Sequence, residues 1–436
     1  MTNVRTFYIY TLTQIGSLIG SMMTATALGI YIFNTTGNTT PILLAAFFSS
    51  LPLMVGGVFA GVFADRWNRR LVLMLSDAGQ ALGTLLLLIS FATGIFQVWH
   101  LYLIAFLQGM LVTLQRPAIE ASVTMLVPED HRDRANTLRQ VTGPAAGMIA
   151  PVLTGFMYTL VGVTGVLVLD LLTFIVAVVT LYLIHIPQPA RTSESSAGSA
   201  SVWKEAWSGL HYLWTRRMLF LLMIYAAGIN FLLSGPLNLT TPYIIKLTGS
   251  EATLGILLGV MNGGIVVGGI VMAIWGGTRP RIHGIMIGLL IRATFLVLYG
   301  VTRSPVTLGI ALFFILFPNP LIDASFMSIM QLKVPPDMQG RVFAVLFQMM
   351  QFATPLSLLV TGPLVDHILE PAVGRPEWAI VAPLVGSQPG AGMGLLMVGA
   401  GILLFLITLL VYLHPRVRSL ENDLPDHIVM SQPVGA

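Results

Sequence analysis

The chain has 436 residues, of which 55% are apolar and only 9% charged, with a mean hydropathy of +0.84. Ordinary soluble domains carry about 25% charged residues, so this composition excludes a string of water-soluble domains and reads as an all-α polytopic membrane protein. The net charge of +4 reflects where the loops lie and is no argument for nucleic acid, while the absence of cysteine excludes disulfides and thiolate chemistry.

Apolar runs long enough to cross a bilayer recur along the chain. The first half holds Phe7–Phe33, Pro41–Ala64, Leu71–Thr93, Val98–Leu126, Arg134–Leu160 and Gly162–Ile184. The second holds Met218–Ile245, Ala252–Trp275, Ile282–Val301, Val306–Leu332, Arg341–Val365 and Gly392–Leu413, so twelve spans are predicted. The first run is too long for a cleaved signal peptide and is expected to stay in the mature protein. Short cytoplasmic loops carry the Lys and Arg excess. Threading twelve spans puts Arg66, Arg69, Arg70, Arg132, Arg216, Arg217, Arg279 and Arg341 on the cytoplasmic side and leaves only Lys246, Arg303 and Arg375 outside. Both termini are then cytoplasmic, in a multi-pass protein of the inner (plasma) membrane.

Residues 1–186 are predicted as one six-helix half and 218–414 as the other. Between them, 187–217 begins as a Ser/Ala-rich linker and ends in an interfacial amphipathic helix, where Trp203, Trp207, Leu210 and Trp214 recur at helical spacing. His367 to Gly390 reads as an external loop rich in Pro and Gly. Residues 415–436 form a cytoplasmic tail that is predicted to be disordered after Arg418.

The charged turn Gly61-Val-Phe-Ala-Asp65-Arg66-Trp-Asn68-Arg69-Arg70 lies between the second and third runs. Asp65 stands where Arg66, Arg69 or Arg70 can pair with it, and Asn68 where a tight turn is expected to need a left-handed backbone. This decapeptide resembles the signature of the major facilitator superfamily between its second and third helices, with Asn68 in place of a second Gly. The resemblance implies twelve helices in two pseudo-symmetric six-helix halves, substrate bound between them near mid-membrane, and a cytoplasmic gate built by Gly61, Asp65, Arg66, Arg69, Arg70 and Glu120. An internal repeat agrees with it: Arg116-Pro-Ala-Ile-Glu120-Ala-Ser122 in span four reads against Asn319-Pro-Leu-Ile-Asp323-Ala-Ser325 in span ten. The second-half counterpart of the turn, Trp275-Gly-Gly-Thr-Arg-Pro-Arg281, has no acid.

In span five, Gly143, Pro144 and Gly147, followed by Pro151 and Gly155, resemble the antiporter motif of drug/proton exchangers of that superfamily. Glycines a turn apart let helices touch, and proline bends the span. Gly255, Gly259 and Gly263 make a second small-residue face on span eight, which the resemblance sets opposite span five. Leu101 to Gly109 is similar to a further exporter motif, but Ala105 stands where that motif has Arg. Pro117-Ala118, Ala135-Asn136-Thr137-Leu138, Gly143-Pro144 and Gly340-Arg341-Val342 resemble the branch that holds macrolide-efflux and enterobactin-exporter-like proteins.

Ionisable residues inside a span are costly and mark function or a fixed pair. Asp77 and Arg116 are expected to pair, as are Arg292 and Asp323; Glu120 has Arg116 four residues before it and can instead meet the gate arginines; Asp170 has no evident cation. Asp323, Arg292, Asp170, Asp77 and Arg116 are the proton-coupling candidates. The resemblance places spans one, four, seven and ten on the cavity, which favours Asp323 and Glu120 over Asp77 and Asp170. Gln14, Ser17, Ser21, Gln108 and Asn230 are the candidate polar groups of a pocket otherwise lined by Met, Phe and Leu, a surface suited to amphipathic molecules more than to sugars.

The functional expectation is a monomeric secondary exporter of amphipathic small molecules, drug-like or siderophore-like, coupled to protons and needing no metal or cofactor. A lipid or lysolipid flippase of the same fold is the alternative. A membrane-embedded enzyme is disfavoured because the histidines, such as His100, His211, His283 and His367, sit in loops or at span ends, without a His-Glu-x-x-His pair or a P-loop.

Overall fold

The computed structural model describes residues 4–66, 68–126, 132–184 and 202–423. The first half folds into α1 (Val4–Thr36), α2 (Thr40–Arg66), α3 (Arg69–Ala92), α4 (Val98–Leu126) and α5 (Arg132–Leu183). A short helix, α6 (Val202–Thr215), leads into α7 (Arg217–Asn238) and α8 (Thr240–Thr248), then α9 (Glu251–Trp275), α10 (Arg281–Val301), α11 (Pro305–Leu316), α12 (Asn319–Lys333) and α13 (Pro336–Leu364). Two brief helices, α14 (Glu370–Ala372) and α15 (Ala382–Val385), precede α16 (Ala391–Leu413), and α17 (Pro415–Arg418) and α18 (Leu420–Asp423) close the described chain.

Among the described residues, ten helical stretches are long and apolar enough to cross a membrane. One of them, Gln140–Leu183, is 44 residues long, about twice what a bilayer needs. It breaks at Gly162, whose φ of +65° and ψ of −172° are open only to glycine, so α5 is two arms and two crossings. The apolar segment Thr40–Gly56 in α2 is shorter than these ten; counted as a crossing, it makes twelve. Leu160, Leu183, Ile274 and Leu410 are 70–82% exposed, as a lipid-facing surface requires: every backbone group is satisfied inside a helix and the side chains outside are apolar.

Local chemistry sets the ends and breaks. Asn68 is not left-handed: at φ −64° and ψ 113° it caps α3, its side chain accepting from the Leu71 amide at 3.2 Å, so its short acceptor decides its place rather than its tolerance of positive φ. Ser250 caps α9 through the Thr253 amide at 3.2 Å, and Gly276 ends that helix with φ +77°. The tenth predicted run is two helices, because Pro318 and Pro320 flank the junction of α11 and α12 and remove the donors a continuous helix would use.

Two expectations are corrected. The predicted loop from His367 to Gly390 is a folded cap: Trp378 is buried and donates to the Gly386 carbonyl at 2.8 Å, and Glu370 accepts from Lys246 at 3.1 Å and from the Gly390 and Met393 amides at 3.2 Å each. The polar and apolar anchors are spread over Pro/Gly-rich sequence, so they leave no periodic signature. The tail beyond Arg418 folds back for one turn, where Glu421 accepts from the Ile282 amide at 2.8 Å and pairs with Arg281 at 3.5 Å, capping α10. Residues 424–436 lie outside the described chain.

The predicted amphipathic helix is α6. Its Leu213 is fully buried in a cluster with Leu219, Val342 and Leu346, whereas Trp207 and Trp214 are exposed. A Cβ on Gly209 would sit 2.5 Å from the Arg341 carbonyl, so this glycine lets α6 lie directly on α13.

Candidate functional site

Among the described residues, the first-half and second-half helices meet mainly along two seams, with a smaller contact of α1 on α8. On one, α5 lies against α9: a Cβ on Gly155 would come within 2.6 Å of the Glu251 carbonyl, and one on Gly255 within 2.5 Å of the Pro151 carbonyl. Gly259 packs on Val152 and Met148, and Gly147 faces the Asn262 side chain, 2.7 Å from a built Cβ. Gly143 has nothing within 4 Å, so the glycines of this motif are not equivalent. On the other seam α2 meets α13: Gly362 is flush against Thr40, and the Asp366 carboxylate accepts from the Thr39 amide and hydroxyl at 2.9 Å each and from the Thr40 amide at 2.6 Å. An acid thus caps α2 from 327 residues away. Asn34 adds a bond to Glu251 at 3.3 Å. All these charged and capping contacts gather at one end of the molecule, where residues 34–40, 251 and 362–366 lie.

Each half presents a cavity lined by its own helices. The first-half cavity, about 350 Å³, is lined by α1 residues Thr11, Gln14, Ser17 and Ser21 together with Asp77, Gln80 and Gln115. Asp77 is 1% exposed. Its oxygens accept from Gln14 at 2.9 Å and Gln115 at 2.6 Å, and Gln115 in turn accepts from Gln80 at 3.0 Å. Arg116 is exposed and makes no ion pair among the described residues, so the expected Asp77–Arg116 pair does not form. Successive residues on a helix point about 100° apart, and it is Gln115 that faces α3. Gln108 is also displaced from its expected place: it donates to the Gln80 carbonyl at 3.1 Å and packs on Gly83, filling the α3–α4 contact instead of the cavity. Contrary to the expected ranking, Asp77 is on the cavity wall.

Asp170 is on neither wall. It is 1% exposed and takes hydroxyl bonds from Thr24 at 2.9 Å, Thr84 at 3.1 Å and Ser21 at 3.5 Å, and Gly20 lets α1 close over it. Three hydroxyls do the work of the cation it lacks.

The second-half cavity, about 300 Å³, gathers Tyr225, Asn230, Ser234, Arg292, Asn319 and Asp323. Arg292 is 9% exposed, and its Nε donates to the Ile315 carbonyl at 2.9 Å. Among the described residues no carboxylate lies within 4.0 Å of it, although Asp323 lines the same cavity. The break between α11 and α12 separates Ile315 from Asp323 and holds the guanidinium on the backbone instead. Asn230 bonds back to the Ala226 carbonyl at 3.2 Å.

Of the gate residues, Arg70 reaches the Leu181 carbonyl at 3.3 Å, at the end of α5, where a cation meets unpaired carbonyls. The side chains of Asp65, Arg66, Arg69 and Glu120, and the packing of Gly61, lie outside the described residues. Gln80 and Gln115 escape sequence reading, although Gln80 lies three residues from Asp77 and so shares its helix face. Asp366 escapes it too; an acid four residues beyond Gly362 at a span end is its one signal.

A family model described as Major Facilitator Superfamily matches residues 10–358. The sequence is 23% identical over 400 residues to macrolide efflux protein A of Streptococcus pyogenes, spanning 87% of this chain and 96% of that protein. It is 23% identical over 372 residues to the multidrug efflux pump Tap of Mycolicibacterium fortuitum, spanning 80% and 86%. A bacterial homolog of the human lysosomal transporter Spinster, crystallised in an inward-facing and unoccupied conformation, matches with a TM-score of 0.73 over 97% of this chain and 99% of that one, at 16% identity. The nucleoside transporter NupG matches with a TM-score of 0.65 over 94% and 99%, at 14% identity.

Proposed function

Because this chain belongs to the Major Facilitator Superfamily, we propose that it exports amphipathic small molecules in exchange for protons, by alternating access of its two halves, 1–186 and 218–414, joined by 187–217 and followed by the tail 415–436. The observation that carries this reading is a mostly apolar cavity with buried ionisable groups in each half, together with seams between the halves that are fastened at one end. Similarity to a macrolide efflux protein and a multidrug pump supports the outward direction and the substrate type. We take the fastened end as the outer face, since the basic loops lie at the other, so that the chain is held open toward the cytoplasm with both termini there.

The proton rides on Asp323, with Arg292 as its switching partner: the two share a cavity without contact, so a substrate or a rocking movement can separate or join them. Asp170, closed in by hydroxyls, is assigned to packing. Proton flux in everted vesicles as candidate substrates are added tests the reading. Asp323→Asn should abolish uphill efflux and leave downhill exchange, Arg292→Gln should impair coupling, and Asp170→Asn should still pump. Uphill efflux surviving in Asp323→Asn but lost in Asp170→Asn would move the proton to α5.

One observation favours a second reading. An apolar groove of about 610 Å³, lined by Leu12, Gly16, Met23, Leu153, Met157 and Leu169, runs between α1 and both arms of α5, a surface that a lipid or lysolipid chain would fit. A reconstituted assay that follows labelled lysolipid crossing the bilayer separates flippase from exporter.

A further inference from the structure

The first-half cavity holds one charge among its described lining residues, and that charge has no counterion. Asp77 is 99% buried, and no basic side chain approaches its carboxylate within 4.0 Å among the described residues. Its amide partners Gln14 and Gln115 are neutral: they soften the loss of water but leave a net negative charge in the bilayer. Each carboxylate oxygen accepts one of the roughly two bonds it can take, so the site remains able to accept from a donor in the cavity.

A second observation is independent of the acid. Thr11 and Ser17 are 7% and 5% exposed, line the same cavity, and have no hydrogen-bond partner among the described residues. With Gln14 and Ser21 they recur at helical spacing along one face of α1. Both Thr11 and Ser17 line the cavity, where a hydroxyl can donate to or accept from a ligand. The aromatic side chains Phe7, Tyr10 and Phe174 line the same space, and an aromatic ring attracts a cation placed over its face. The second-half cavity differs in holding an acid and a base together, Asp323 and Arg292.

We propose that this first-half cavity is a subsite for the protonated amine of an amphipathic organic cation, with Asp77 as its charge partner and Thr11 and Ser17 as further polar contacts. The subsite selects an ammonium that carries an N–H, placing its apolar body toward the aromatic rings. The inference deepens the export reading and rests on it only for the direction in which the amine moves.

The test is binding of dansylcadaverine, a fluorescent primary amine, and of its N-acetylated neutral counterpart to purified full-length protein, read by fluorescence anisotropy. The wild type should bind the amine at least tenfold more tightly than the acetylated form, and Asp77→Asn should bring the two within twofold. Thr11→Val and Ser17→Ala give up no internal hydrogen bond and should weaken the amine about three- to tenfold while leaving the acetylated form unchanged; they decide the matter if Asp77→Asn does not fold. Because the chain has no native cysteine, Ser17→Cys gives a single maleimide site that the amine should protect and the acetylated form should not. Equal binding of both probes to the wild type, or a preference that survives in all of Asp77→Asn, Thr11→Val and Ser17→Ala, overturns the subsite. Amine binding with this pattern but without efflux from vesicles would leave the subsite standing and refute the export reading; efflux of the amine with Asp77→Asn indistinguishable from wild type would do the reverse.

Discussion

Removing the Asp366 carboxylate should open the fastened end. In the structure it holds the Thr39 amide, the Thr39 hydroxyl and the Thr40 amide at 2.9, 2.9 and 2.6 Å, across the two halves. Hydrogen bonds to a charged group are worth about 1.5–3 kcal/mol each when nothing replaces them. Here water replaces them once the end opens, and the site is only partly buried, so the difference between closed and open states is nearer that of a helix N-cap, about 0.5–2 kcal/mol, plus about 0.3–1 kcal/mol from the helix dipole. The resulting loss of about 1–3 kcal/mol corresponds, at about 1.4 kcal/mol per tenfold, to roughly a 5- to 140-fold larger outward-open population. A Ser21→Cys reporter on the cavity wall reads that population as the rate of maleimide labelling from outside intact cells. Asp366→Ala should raise the rate by that factor. Asp366→Asn should fall between, because its amide oxygen can still accept from Thr39 while its NH2 faces the Thr40 donor. A labelling rate within twofold of the unsubstituted reporter, in folded Asp366→Ala protein, would refute the reasoning.

Along the α5–α9 seam, Gly155→Ala should destabilise by about 1–3 kcal/mol because the new methyl meets the Glu251 backbone carbonyl, whereas Gly147→Ala meets only the end of the Asn262 side chain and Gly143→Ala meets nothing; thermal unfolding in detergent should rank them in that order. Gly147→Leu should go further and separate the helices, costing transport or yield. Leu213→Ala, which empties a fully buried position under α6, should cost about 2–5 kcal/mol if the site cannot collapse and make the linker more sensitive to limited proteolysis. Glu370→Gln removes the charge that holds Lys246 and two amides of the 367–390 cap and should lower the unfolding temperature more than Glu377→Gln on the same segment.

What can be read from the chain before folding is what has a one-dimensional signature. Apolar length, basic loops and the glycine at 162 mark the spans and the break in α5, because bilayer thickness and backbone sterics act residue by residue. The Asp77 network has no such signature: Gln14, Gln80 and Gln115 come from three helices, and each alone looks like an ordinary polar residue of a membrane helix. Arg116 and Gln108 are misplaced by sequence reading for a related reason, since a rotation of one residue about α4 decides which side chain faces α3. Charge alone suggests that Arg292 and Asp323 bond directly; the interruption between α11 and α12 offers the guanidinium a backbone carbonyl instead.

The central claim, proton-driven export, is tested most directly by the gradient the protein can hold. At 100 mV one proton supplies about 2.3 kcal/mol, enough for roughly a 40-fold gradient of a neutral substrate exchanged one for one. In proteoliposomes with a set membrane potential and pH difference, substrate should accumulate against its gradient toward that limit and collapse when a protonophore is added, and Asp323→Asn should equilibrate it without accumulation. Accumulation that persists in the presence of the protonophore, or that Asp323→Asn sustains in full, would contradict the account.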